Sequence, residues 1–112
     1  MTSPNKLKLL VICSRNQWRS PTAERIYRND PRVEVRSAGT SEKAVHKVSI
    51  KDIEWAEMIL CMEVKHQDFL QKKFFGIKLP PIKVLNIPDE YDYMDPELIK
   101  MLKGEVENLL VK

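Results

Sequence analysis

The sequence has few of the features that mark a secreted, metal-binding or membrane-bound chain. Its 112 residues include two cysteines, Cys13 and Cys61. They do not form a Cys-x-x-Cys pair and no histidine cluster accompanies them, so no zinc or other metal site is expected. Nothing calls for a cofactor. Sparse cysteine also makes a reduced, cytoplasmic protein the default. No apolar run reaches the roughly 20 residues that cross a bilayer. The opening "MTSPNKLKLLVIC" is broken by Lys8 and lacks a small-residue cleavage motif, so it reads as a first strand rather than a leader. Charge of one sign is not concentrated anywhere. Nineteen Lys and Arg against sixteen Asp and Glu leave a net charge of +3 without a basic block, which argues against nucleic-acid and membrane partners. Internal repeats and low-complexity tracts are absent.

What is there suits one globular domain over residues 1–112. Hydrophobic residues at 43% and charged residues at 31% allow a single modest core. "KLKLLVIC" reads as a strand buried on both faces. Ser20-Pro21 reads as a helix start, with Ser20 capping and Pro21 in the first turn. Asn29-Asp30-Pro31 stops that helix. "RVEVRSAGT" is a second strand. Ser49 caps "IKDIEWAE", with Ile50, Ile53 and Trp55 facing inward. "MILCM" is a third strand. "EVKHQDFLQKKF" has helical spacing through Val64, Phe69, Leu70 and Phe74. Gly76 and Pro80-Pro81 break the chain, and "IKVLNI" is a fourth strand. Asp95-Pro96 starts a last helix running through residue 112. Strands and helices alternate. The predicted fold is therefore α/β, a four-stranded parallel sheet with helices on both faces. Ligands in such folds bind beyond the carboxyl ends of the strands.

The first strand ends at Cys13, and "CSRNQWRSP" links it to a helix start. Backbone amides and the helix dipole favour an anion there. Arg19 adds a planar donor fork that matches phosphate. The same field favours a thiolate, so Cys13 is expected to be a nucleophile, with Ser20 placed to donate a hydrogen bond to the sulfur. A thiolate beside a phosphate cradle points to attack on phosphorus. The competing reading is a buried structural cysteine, which a bare Cys-x5-Arg spacing does not exclude. The strand before it and the helix start after it favour the chemical one.

"VICSRNQWRSPTAE" resembles the phosphate-binding loop of the low-molecular-weight protein tyrosine phosphatases, whose signature is Cys-x5-Arg-Ser after the first strand. Cys13, Asn16, Arg19, Ser20 and Pro21 match it. "RSAGT", "DIEWAEMILCME" and "NIPDEYDY" resemble further family segments in family order, and together the matches span most of the chain. The resemblance implies a phosphatase acting through a cysteinyl-phosphate on a phosphorylated protein, tyrosine foremost, or on a small phosphomonoester. It implies Cys13 as nucleophile, Arg19 as phosphate binder, and Asn16 as the residue that shapes the loop. It also implies that Ser20 assists the leaving thiolate and that Asp89 is general acid. The phosphate-binding loop would be Ser14, Arg15, Asn16, Gln17, Trp18, Arg19 and Ser20.

Three aspartates compete for the acid role. Asp95 is explained as a helix cap, whereas Asp89 follows Pro88 at the sheet's carboxyl edge; Asp92 has the weakest case. The chain also departs from the family. Arg15 stands where a glycine is usual, which raises the prospect of strain at positive φ. Trp18 replaces a second cysteine. The segments between Thr40 and His46 and between Met62 and Asp89 are short, and Glu90 replaces a proline. These departures bear on the substrate, for which Trp18, Tyr91 and Tyr93 are candidate walls. His46 and His66 read as surface or packing residues, Trp55 as core and Cys61 as a buried thiol. Two alternatives stay open: a phosphate-binding or partner-binding module without turnover, and an arsenate reductase, for which Cys61 would be the lone second thiol. The oligomeric state is not legible.

Overall fold

The computed structural model describes residues 6–110. The strand β1 (Leu7–Cys13) is followed by α1 (Arg19–Ile26), β2 (Val33–Gly39), α2 (Ile50–Trp55) and β3 (Met58–Cys61). Then come α3 (Val64–Lys73), β4 (Ile82–Val84) and α4 (Pro96–Leu110). The four strands form one sheet in the order β2-β1-β3-β4, and every pairing is parallel. This is the architecture expected from the alternation of elements.

Period-two alternation along β1 sends its side chains to both faces. Leu9, Val11 and Cys13 join Leu60, Met62, Ala23 of α1, Tyr27 at the C-terminal cap of α1, and Leu98, Leu102 and Val106 of α4. Leu10 and Ile12 join Ile59, Cys61, Ile53 of α2 and Leu70 of α3. Thus α1 and α4 cover one face and α2 and α3 the other. The outer face of α4 is tied down by Arg32, whose guanidinium reaches Glu107 at 2.7 and 2.9 Å.

The chain leaves β1 in one lateral direction toward β2 and returns across it to β3. The sheet order reverses at the β1/β3 boundary, where α/β folds bind ligands. Cys13 closes β1 and Glu63 follows β3, so both stand at that crevice.

Several local expectations need correction. Ser20 is not the cap of α1. Trp18 occupies that position without a side-chain cap, and Ser20 lies inside the first turn, turned toward Cys13. Ile50 and Val64 are exposed, because α2 and α3 bury only the stripes through Ile53 and Leu70. Trp55 is half-buried at the edge of its core and carries the Arg36 guanidinium over its ring, 4.2 Å from the centroid. The predicted cap at Ser49 forms: Asp52 Oδ2 accepts the Ser49 amide at 2.9 Å in a reciprocal capping box. The last two residues of the expected final helix lie outside the described residues.

Candidate active site

The loop from Cys13 to Arg19 is shaped from outside. The carbonyls of Cys13, Ser14 and Arg15 accept the amides of Thr40, Ser41 and Val45 at 3.1, 2.9 and 3.0 Å. In a planar trans peptide the N–H points opposite the C=O. Pinning three consecutive carbonyls outward therefore turns the amides of Ser14, Arg15 and Asn16 inward, around the sulfur. The Asn16 amide reaches Cys13 Sγ at 3.2 Å. Close approach needs Gly39: a Cβ there would lie 2.6 Å from the Ser14 carbonyl oxygen and 2.7 Å from the Ala44 Cβ. That is the physical reason for a glycine in "RSAGT".

Asn16 adopts φ 57°, a left-handed conformation that Asn tolerates better than most residues. Its side chain is buried and doubly held. Oδ1 accepts the His46 amide at 3.1 Å, and Nδ2 donates to Ser20 Oγ at 2.9 Å. Ser20 Oγ also lies 2.9 Å from Cys13 Sγ, close enough to give its proton to a thiolate there. Arg15 is not in a positive-φ conformation, so the strain expected at its position falls on Asn16 instead. Arg15 and Gln17 are exposed at the mouth of the cleft that Cys13 lines.

Arg19 is 2% exposed. Its Nη1 donates to Glu63 Oε2 at 2.5 Å and to the Ile87 carbonyl at 2.8 Å. Its Nε lies 3.7 Å from Asp89 Oδ1. Glu63 holds the guanidinium in place, and Arg19 in return holds the Glu63 carboxyl below its ordinary range against the opposing effect of burial.

Asp89 lines the cleft with Cys13, Arg15, Gln17, Trp18 and Arg19. The loop carrying it is anchored at both ends, by Arg19 on the Ile87 carbonyl and by Thr22 Oγ1, which accepts the Met94 amide at 2.9 Å. Asp95 is occupied elsewhere, since its Oδ1 accepts the Glu97 amide at the start of α4 at 2.8 Å. Neither Asp92 nor either candidate tyrosine lines the cleft. Tyr91 packs against the α1/α4 core, and the aromatic in the cleft wall is Trp18.

Two site residues escaped sequence reasoning. Glu63 was not singled out, although an acidic residue just past β3 at the sheet's carboxyl edge is a signal for a partner of Arg19. His66 is 1% exposed. Its Nδ1 accepts the Glu63 amide at 3.0 Å, which leaves the ring proton on Nε2, and Nε2 donates to Ser14 Oγ at 2.9 Å. Burial, reinforced by Arg19, pushes its pKa down to about 4, so the ring is neutral at physiological pH. His46 is likewise more than a surface residue: its amide fixes Asn16 and its ring bonds Asp52 at 2.9 Å.

Cys61 takes no part. It lies on the α2/α3 face of the sheet while Cys13 lies on the α1/α4 face, and burial pushes its thiol up to about 12. Among the described residues no cluster of three metal-ligating side chains occurs, and no helix is long and apolar enough to cross a membrane.

No protein-family model matches the chain, and no curated protein sequence does. Solved structures do. The YwlE arginine phosphatase from Geobacillus stearothermophilus is similar at 23% identity and TM-score 0.71, over 93% of each chain. The low molecular weight protein tyrosine phosphatase SP-PTP from Streptococcus pyogenes is similar at 18% identity and TM-score 0.76, over 95% of each. Wzb from Vibrio vulnificus, solved with benzylphosphonate, is similar at 20% identity and TM-score 0.69, over 93% of this chain and 97% of that one. The chain has the fold of the low-molecular-weight protein tyrosine phosphatases.

Proposed function

We propose that the chain is a cysteine-dependent phosphatase that hydrolyses phosphomonoesters, protein phosphotyrosine foremost. One observation carries the reading: the Cys13 sulfur receives the Asn16 amide and the Ser20 hydroxyl inside a loop of inward-facing amides, beside the buried Arg19. Those donors favour the thiolate, and the loop amides with the Arg19 fork supply the positive charge that a phosphoryl group requires. The related folds include one described as an arginine phosphatase, one described as a protein tyrosine phosphatase, and one bound to benzylphosphonate.

In the proposed reaction the Cys13 thiolate attacks phosphorus and the ester P–O bond breaks. The departing oxygen takes a proton from Asp89 in its acid form. Water, giving its proton back to Asp89, then cleaves the S–P bond, releasing phosphate and the thiolate. Ser20 stabilises the sulfur as it leaves. Phosphate competes with Asp89 for Arg19, because Arg19 Nε faces both the cleft and the carboxylate. Trp18 offers an aromatic wall for a phenyl ring, while Arg15 suits an acidic ester.

The test is hydrolysis of p-nitrophenyl phosphate with EDTA present. Wild type is expected to turn over, and Cys13→Ser to lose turnover entirely. Folded wild type without turnover would overturn the reading in favour of a phosphate-binding module.

A further inference from the structure

Beside the phosphate loop a groove of about 440 Å3, which Asp89 does not line, opens between the loop, α1 and the turn at residues 40–46. Trp18 and Val45, 43% and 74% exposed, form apolar walls with Pro21. One charged residue lines it: Glu24 of α1. Glu24 Oε1 accepts the Ser37 hydroxyl at 2.6 Å, and the carboxylate finds no cation among its described hydrogen-bond and ion-pair partners. An adjoining cavity of about 420 Å3 shares Asn16, Glu24 and Ser37 and adds Arg36, His46 and Asp52. The charged residues it adds have contacts elsewhere. Arg36 lies over Trp55, and His46 faces Asp52. Within the groove itself the charge is therefore negative, at the end of an apolar trough.

Gln17 and Trp18 line both this groove and the Cys13 cleft. A peptide chain leaving a phosphoresidue advances about 3.5 Å per residue, so one or two residues carry it across.

We propose that this groove binds the side chain of a lysine or arginine one or two positions from the phosphorylated residue of a protein substrate. The apolar stem lies along Trp18, Pro21 and Val45, and the cation meets Glu24. The proposal rests on the phosphatase reading for the position of the phosphate. It adds a preference that the overall charge of +3 opposes, which makes it a local property of Glu24.

The experiment measures binding, so it does not depend on turnover. Peptides carrying a non-hydrolysable phosphonate analogue of phosphotyrosine, with Lys, Ala or Glu at the flanking positions, are titrated calorimetrically into wild type, Glu24→Gln and Glu24→Lys. p-Nitrophenyl phosphate hydrolysis is assayed in parallel. Wild type is expected to bind a Lys peptide about three- to fivefold tighter than its Ala counterpart, the scale of one exposed ion pair. The ratio should collapse toward one in Glu24→Gln and reverse toward Glu peptides in Glu24→Lys. Ratios are read within each variant, so a general loss of stability cancels. Equal binding of all peptides, no binding of any, or a Lys preference that survives Glu24→Gln overturns the proposal. A Lys preference without p-nitrophenyl phosphate hydrolysis keeps the groove and overturns the catalytic reading instead.

Discussion

At the scale of single residues, the site depends on side chains that never face a substrate. Glu63 holds Arg19, a guanidinium with almost no solvent to fall back on. Glu63→Ala leaves that charge short of a partner. It should cost about 1–3 kcal/mol of stability, an amount visible as a lower urea midpoint. Displacement of the guanidinium should lower kcat on an aryl phosphate by up to about 100-fold. His66 makes a different prediction. Its neutral ring accepts the Glu63 amide and donates to Ser14, whereas a proton on Nδ1 would oppose that amide. With the folded pKa near 4 and the free value near 6.5, the unfolded chain binds more protons between those limits. Stability therefore falls as pH is lowered from about 6.5 toward 4, by ~3 kcal/mol at most. Urea midpoints measured across that window should slope for wild type and flatten in His66→Gln. Equal slopes would mean that another group governs acid sensitivity.

At the scale of elements, the phosphate loop is a strand-to-helix connection whose form is imposed by its neighbours. The end of β2 and the turn after it present three amides to the loop's carbonyls. Gly39→Ala places a methyl group against the Ser14 carbonyl and the Ala44 side chain, so loop or turn must shift. Overpacking of this kind should cost about 1–3 kcal/mol, and displacement of the amides around Cys13 should reduce kcat/KM far more than it reduces stability. Turnover assays beside thermal melts separate the two effects. The cap of α2 tests the same coupling from further away. Ser49→Ala should destabilise by about 1 kcal/mol, with a smaller effect on turnover. Sequence reasoning located these elements well, because Ser49, Asp95-Pro96 and the paired apolar strands act locally. It misjudged Ser20, since a serine before a proline satisfies the pattern of a cap whether its hydroxyl turns to a backbone amide or to a thiol.

At the scale of the whole molecule, the sheet separates the two cysteines. Cys13 and Cys61 end adjacent strands, yet alternation puts their side chains on opposite faces. A disulfide between them requires the sheet to come apart. Native protein treated with peroxide should show oxygen addition at Cys13 by mass spectrometry and no loss of two hydrogens. An internal disulfide formed without unfolding would contradict this strand arrangement. The same separation removes the geometric basis for an arsenate reductase that uses Cys61 as a resolving thiol.

By itself the sequence determined the alternating strand and helix order, the parallel sheet, the loop after the first strand, and the cluster of Cys13, Asn16, Arg19 and Ser20 within one short segment. Such features follow from periodicity, capping and spacing, which are properties of neighbouring residues. Only the tertiary structure decided that Glu63 grips Arg19, that a buried neutral His66 supports Ser14, that Gly39 admits the loop, and that Asp89 rather than Asp95 borders the cleft. Each of those contacts joins residues 25 to 70 positions apart or depends on which face of the sheet a side chain takes. The order β2-β1-β3-β4 brings them together, and that order is settled by packing the whole core rather than by any local pattern.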